Sequence, residues 1–296
     1  MNGRNDHSPA VRSGASTCPP LTPEAAARAL AQAVAAAGEL ARSMLGSGMR
    51  TWTKDNFSPV TEADLAVDAL LHERLQALAP DHGWLSEETA DTPERLARRR
   101  VWVVDPIDGT RSFISGLPDW AIAAALVEDG RPIAAALYAP ATEEMFSASI
   151  GRGATRNGVP IFASAASSLS GARIAGPRSI IERLARTGLP LRVQPRIHSL
   201  ALRIARVASG EVDASLAAAR SHDWDLAAAD LLVHEAGACL TTYDGAKPVY
   251  NRPQHAHGAL AAAGIAIHPK LLAALDAATS ETGNSPRSAA MGIAET

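Results

Sequence analysis

Val101-Trp102-Val103-Val104-Asp105-Pro106-Ile107-Asp108-Gly109-Thr110 is an apolar run that ends in two carboxylates, a glycine and a threonine. The apolar part reads as a buried strand. A desolvated carboxylate costs several kcal/mol unless it is paired or binds a metal, so acids at the end of such a strand need a purpose. Pro106 is expected to stop the strand ladder and Gly109 to allow a tight backbone, which turns Asp105 and Asp108 toward one point. Two hard oxygen ligands with the Ile107 carbonyl suit a divalent cation such as Mg²⁺. Thr110 stands at an expected helix start, where N–H groups and a hydroxyl favour an anion. A cation beside an anion points to phosphate chemistry.

Working outward, His82-Gly83-Trp84-Leu85-Ser86-Glu87-Glu88 reads as a short strand closing on two adjacent acids. Neighbouring strand residues face opposite ways, so at most one of Glu87 and Glu88 reaches a shared site. Upstream, Thr61 is expected to cap a helix carrying Leu71, Leu75 and Leu78 on one face, with Glu62 and Asp64 in its first turn. Downstream, Asp223-Trp224-Asp225 opens a helix that Gly237 ends. Acids at helix starts ordinarily just complement the helix dipole. Here three acidic segments accompany the opening turn, and Lys54 lies on the loop before Asp64.

The remaining chain is read as follows. Residues 1–20 are polar and aperiodic, an expected disordered tail without the apolar core of a secretory signal. Thr22-Pro23-Glu24 starts a long helix that runs to about Gly46. Apolar runs at 120–127, 132–138 and 145–149, separated by Asp129-Gly130, Ala139-Pro140 and Gly151-Arg152-Gly153, predict antiparallel strands joined by tight turns. Gly151-Arg152-Gly153 lacks the Lys-Ser/Thr ending of a P-loop and is read as a hairpin connection. The Ser/Ala-rich stretch near 164–170 divides an N-terminal half (21–165) from a C-terminal half (166–278) of alternating strands and helices. Residues 279–296 are expected to form a flexible tail.

Composition excludes several classes. A net charge of −3 argues against a nucleic-acid binder held by phosphate contacts. Cys18 and Cys239 are the only cysteines and form no C-x-x-C pair, which fits a reducing, cytoplasmic setting. The Ala-rich first helix carries charges at Glu24, Arg28, Glu39 and Arg42, so it is no membrane span. No G-x-S-x-G elbow is present for serine hydrolysis. His255-Ala256-His257 is read as a polar loop.

Leu85-Ser86-Glu87-Glu88, Asp105-Pro106-Ile107-Asp108-Gly109-Thr110, and Trp224-Asp225-x-x-Ala228 through Glu235-Ala236-Gly237 together resemble the motif set of the inositol monophosphatase superfamily. That superfamily contains inositol monophosphatases, 3′(2′),5′-bisphosphate nucleotidases, histidinol phosphatases and sugar phosphatases. The resemblance spans about residues 21–275. It implies an α/β (α+β) fold layered αβαβα, as in inositol monophosphatase and fructose-1,6-bisphosphatase, often a homodimer. It also implies lithium-sensitive, Mg²⁺-dependent hydrolysis of a small phosphomonoester, with two or three ions. By the same resemblance, Glu87, Asp105 and the Ile107 carbonyl hold one metal, and Asp105, Asp108 and Asp225 a second, with a third ion near Glu87. Gly109 and Thr110 grip the phosphate. Thr110 with Asp64 positions and deprotonates the attacking water, while Lys54 sits on a loop that closes near the metals.

One departure bears on substrate. The acid that contacts sugar hydroxyls in inositol-preferring members is matched here by Ala218. Arg220 or His222 is therefore expected to meet a second anionic group, and Ser199, after a His198 where the family often has glycine, to edge the pocket. The substrates implied are an inositol monophosphate or a bisphosphate nucleotide, with histidinol phosphate or a sugar phosphate as the alternative. A catalytically silent scaffold is a different class, but it would lack a ligand, and none is missing.

Overall fold

The computed structural model describes residues 21–46, 50–53 and 59–283. Helix α1 (Pro23–Met44) starts as expected, with the Thr22 hydroxyl accepting from the Ala25 N–H. The next segment is not all loop, because β1 (Thr51–Thr53) and β2 (Pro59–Thr61) pair antiparallel. Helix α2 (Glu62–Leu78) follows directly, so Thr61 both ends a strand and caps a helix.

The large sheet has seven strands in chain order: β3 (Gly83–Ser86), β4 (Arg100–Asp108), β5 (Ala121–Glu128), β6 (Arg131–Ala139), β7 (Glu144–Ser149), β8 (Ala154–Arg156) and β9 (Val159–Ile161). Only the β3–β4 pair is parallel; the rest is a meander. The expected stop at Pro106 is corrected. The β4–β5 register shifts between Asp105 and Asp108, then pairing resumes at Asp108 with Ala121. A proline cannot donate to the ladder, so the chain bulges around it and re-enters. The helix expected to start at Thr110 is present but short, α3 (Thr110–Ile114).

The second sheet comes from β10 (Arg173–Ala175), β11 (Arg192–Val193), β12 (Ala214–Ala217), β13 (Ala238–Thr242) and β14 (Leu260–Gly264), in the order β11-β10-β12-β14-β13. Its helices are α4 (Arg178–Ala185), α5 (Leu200–Ala208), α6 (Asp223–Glu235) and α7 (His268–Gly283). Helix α7 runs past residue 279, so the expected flexible tail is helical as far as Gly283.

Alternation along the strands assigns the layers. Trp102, Val104, Ile122, Ala124 and Leu126 pack against Leu30, Val34, Val67 and Leu71 of α1 and α2. Val101, Val103, Ala123 and Ala125 face the other way, onto α5 and α6, which also cover Ala175, Ala217, Leu240 and Ala262 of the second sheet. The far face of that sheet, Ile174, Leu216 and Ala261, packs on Ile181 and Leu184 of α4 and Leu271 of α7. The order is therefore helix, sheet, helix, sheet, helix, as expected. Small side chains make the close layers possible: a Cβ on Gly38 would lie 2.5 Å from the Tyr138 ring, where α1 seats on β6. The Gly151–Gly153 turn also holds an anion of the chain itself, since the N–H groups of Gly151 and Gly153 both donate to the Glu235 carboxylate at 2.8 Å.

Candidate metal and phosphate site

The β4 bulge delivers the acids. Asp105 is 1 % exposed, and neither of its carboxylate oxygens has a hydrogen-bond partner. Burial pushes its carboxyl well above the usual carboxylate range, and the charges of Glu87, Asp108, Asp225 and Asp64 push further. Two orphaned oxygens in a buried acid have no internal explanation, because such a group is otherwise hydrogen-bonded. They mark a cation position.

Asp108 is buried as well, but it is well partnered. Its carboxylate accepts from the Ser199 hydroxyl at 2.6 Å and from the N–H groups of Ala201 at 2.6 Å and Leu200 at 3.2 Å. Burial raises its carboxyl; these α5 donors and the nearby Arg203 guanidinium oppose the rise. Ser199 is thus corrected from a substrate contact: it is fully buried and carries Asp108. The same hydroxyl accepts from the Leu202 N–H as the α5 cap, so both of its hydrogen-bonding roles are taken up inside the protein.

Asp225 occupies the third position of α6, where one oxygen accepts from the His222 N–H at 2.6 Å. Burial lifts its carboxyl well above the ordinary range, and the Asp108 charge adds to that. Ligand oxygens of Asp105, Asp108 and Asp225 all lie within 4.8 Å of one another. Asp223, two residues earlier, is structural. It is fully buried, contacts the His257 ring at 2.7 Å and accepts from the Asn251 N–H, which gives His257 a partner within the protein.

Helix α2 presents acids one turn apart. Asp64 is buried and closes a capping box: its Oδ2 accepts from the N–H and hydroxyl of Thr61, leaving Oδ1 toward the Thr110 hydroxyl at 3.5 Å. That hydroxyl lies closer to the Ile107 carbonyl, at 3.0 Å. Asp68 accepts from Ser86 at 2.5 Å and Thr89 at 2.6 Å and so pins the loop that carries Glu87. Sequence reasoning missed Asp68, although its i+4 spacing from Asp64 put both on one helix face.

Gly109 has φ +92°, and a Cβ there would meet the Asp119 carbonyl at 3.0 Å and the Ser199 nitrogen at 3.1 Å. Glycine is required on both counts. A cavity of about 300 Å³ brings together Glu87, Asp105, Ile107, Asp108, Gly109, Thr110 and Asp225, with Arg111, Arg196 and His198 on its walls. Arg220 is exposed and lies outside this lining, where the arginines are Arg111 and Arg196. Its backbone takes a left-handed turn at φ +78°. Lys54 lies outside the described residues.

A buried acid cluster beside backbone N–H groups and arginines defines a metal-dependent phosphatase site. The sequence model of the inositol monophosphatase family matches residues 23–280, and the chain belongs to that family. Among curated relatives it is similar to the histidinol-phosphatase of Mycobacterium tuberculosis, 36 % identical over 258 residues, covering 81 % of this chain and 94 % of the relative. It also resembles inositol monophosphatase 2 of Solanum lycopersicum, 31 % identical over 231 residues, with 73 % of this chain and 86 % of that one covered. Among solved structures, the extragenic suppressor protein suhB from Bartonella henselae superposes with a TM-score of 0.76 at 27 % identity, over 85 % of this chain and 98 % of that one. An IMPase of Thermotoga maritima gives 0.76 at 26 % identity, over 87 % and 98 %. The chain is a metal-dependent phosphoric monoester hydrolase of this family, acting on small phosphorylated substrates.

Proposed function

We propose that the site uses Mg²⁺, two or three ions, to hydrolyse a small phosphomonoester by direct attack of water. The orphaned Asp105 carboxylate carries this reading, because it fits a shared cation ligand and nothing else in its surroundings. Glu87, Asp105 and the Ile107 carbonyl would hold one ion, and Asp105, Asp108 and Asp225 another, with a third near Glu87. When bound, the cations supply Lewis acidity and cancel the charge that five acids would otherwise turn against the phosphate. Gly109 and Thr110 grip the phosphate through their backbone N–H groups. The Thr110 hydroxyl orients the attacking water, and Asp64 Oδ1 takes its proton. Lys54 is placed on the flanking loop by family resemblance alone.

For the substrate, the proposed choices are a bisphosphate nucleotide and an inositol monophosphate; Arg111 and Arg196 on the cavity wall favour an anion beyond the scissile phosphate, which only the bisphosphate nucleotide carries. The second reading, histidinol phosphate, is supported by the similarity to the mycobacterial histidinol-phosphatase. Phosphate release is to be measured from inositol 1-phosphate, adenosine 3′,5′-bisphosphate, histidinol phosphate and fructose 1,6-bisphosphate, after chelation and after Mg²⁺ is restored. Release from at least one, only with the cation, is expected; folded protein silent on all four would overturn the reading and favour a scaffold. Lithium inhibition, a homodimer and a cytoplasmic setting are proposed with it. No helix among the described residues is long and apolar enough to cross a membrane. The division near residue 166 is supported by the two sheets, which draw on residues 83–161 and 173–264.

A further inference from the structure

His198 is a polar group of the cavity wall that the phosphate chemistry does not use. Its Nδ1 lies 2.7 Å from Asp119 Oδ2 and 2.8 Å from the Ser112 hydroxyl, and its backbone N–H donates to the same Asp119 oxygen at 2.6 Å. The Ser112 hydroxyl donates to Asp119 Oδ1 at 2.8 Å. Burial works to raise the Asp119 carboxyl, but the His198 N–H, the Ser112 hydroxyl and the His198 ring outweigh it and hold Asp119 below the usual range. An ionised carboxylate only accepts, and the serine hydrogen is already given to it. The hydrogen between Asp119 and His198 therefore belongs to Nδ1. With a single ring hydrogen, at Nδ1, Nε2 offers a bare lone pair, which has no hydrogen-bond partner among the described residues and is not sealed from solvent.

A phosphate oxygen is an acceptor too, so it is no partner for that lone pair. The start of α5 touches the site turn at Asp108 and Gly109, while α2 touches it at Thr110. His198 lines the same cavity as Thr110 and the metal-site acids. We propose that His198 Nε2, held as an acceptor by Asp119 and Ser112, binds a hydroxyl or ammonium donor on the alcohol portion of the substrate. This selects phosphomonoesters whose leaving alcohol carries such a donor.

The inference rests on the phosphatase reading, and the test separates the two. Glycerol 2-phosphate and isopropyl phosphate share a carbon skeleton, but only the first bears hydroxyl donors. Hydrolysis of either by the unaltered protein establishes the phosphatase; the ratio of their kcat/KM values tests His198. That ratio is expected to favour glycerol 2-phosphate and to fall ~10-fold or more in His198→Ala, since a buried hydrogen-bonding group discriminates by what it leaves unpaired. His198→Gln, which keeps an acceptor at similar reach, is expected to retain most of it. Asp119→Asn is expected to lose it with the ring in place, because the amide can donate to Nδ1 and move the hydrogen to Nε2. A ratio unmoved by His198→Ala and Asp119→Asn would overturn the proposal. Independently of turnover, ¹⁵N spectra of histidine-labelled protein should show His198 protonated at Nδ1 alone near neutral pH; the Nε2–H form or a doubly protonated ring would overturn it.

Discussion

Asp105 is the residue on which affinity for cations and cost to folding meet. Its raised carboxyl has a definite sign. A buried acid whose protonation is favoured in the folded state stabilises fully below the unfolded carboxylate range and loses that contribution as pH rises through the folded value. Asp105→Asn should therefore raise the melting temperature of the chelated protein near neutral pH, while cutting phosphate release about 100-fold or more. Thermal scans and a phosphate assay on the same samples check both; a destabilised, active variant would contradict the assignment. Most of these ligands were legible in the sequence, because an acid at the end of an apolar strand violates an elementary rule and so announces itself. The Asp108 contact of Ser199 and the presence of Arg196 and His198 on the cavity wall were not legible there. Their roles depend on how the start of α5 docks on the β4 bulge, and no local periodicity encodes that.

At the scale of elements, α5 and α6 each do two jobs. The Ser199 hydroxyl caps α5 and holds Asp108, so Ser199→Ala should cost ~1 kcal/mol for the cap and lower the melting temperature by about 2–4 °C. It should also raise the Mg²⁺ concentration needed for half-maximal activity rather than KM alone, measured by titrating Mg²⁺ at fixed substrate. In α6, Asp230 accepts a hydrogen bond from the Tyr250 hydroxyl at 2.9 Å, and its burial raises its carboxyl to about 6. Its contribution is present below the ordinary carboxylate range and is lost as pH climbs through about 6, a loss of ~3 kcal/mol by pH 8. Asp230→Asn keeps an acceptor for Tyr250 and should flatten that part of the urea-stability profile between pH 4 and 8. Helix starts and hairpins were readable from caps and turn residues, such as Thr22-Pro23 and Asp129-Gly130. The β4 bulge was not, because resuming the ladder at Asp108 depends on Ala121, a partner supplied by a strand not yet paired.

Across the whole molecule, the Ala-rich middle layer lets two sheets approach one pair of helices, and the site lies where that layer meets the end of β4. Metal-free protein should lose stability as pH rises above the carboxylate range, since Asp105, Asp108 and Asp225 are all raised. Mg²⁺ should reverse this, adding ~2.7 kcal/mol at a hundredfold excess over its Kd, read as a concentration-dependent melting temperature. The order of layers followed from strand and helix patterning, whereas the sharing of α5 and α6 by both sheets is a tertiary fact. Asp105 and Asp225, whose ligand oxygens face one point, lie on β4 of the large sheet and on the middle helix layer, 120 positions apart (225 − 105) in the chain. A cation bound to both is then a removable staple across that span, closing a long loop as a cystine would, but without oxidation chemistry. The docking of the middle layer on the large sheet, ordinarily silent in an assay, becomes something that chelator and salt can loosen and tighten at will.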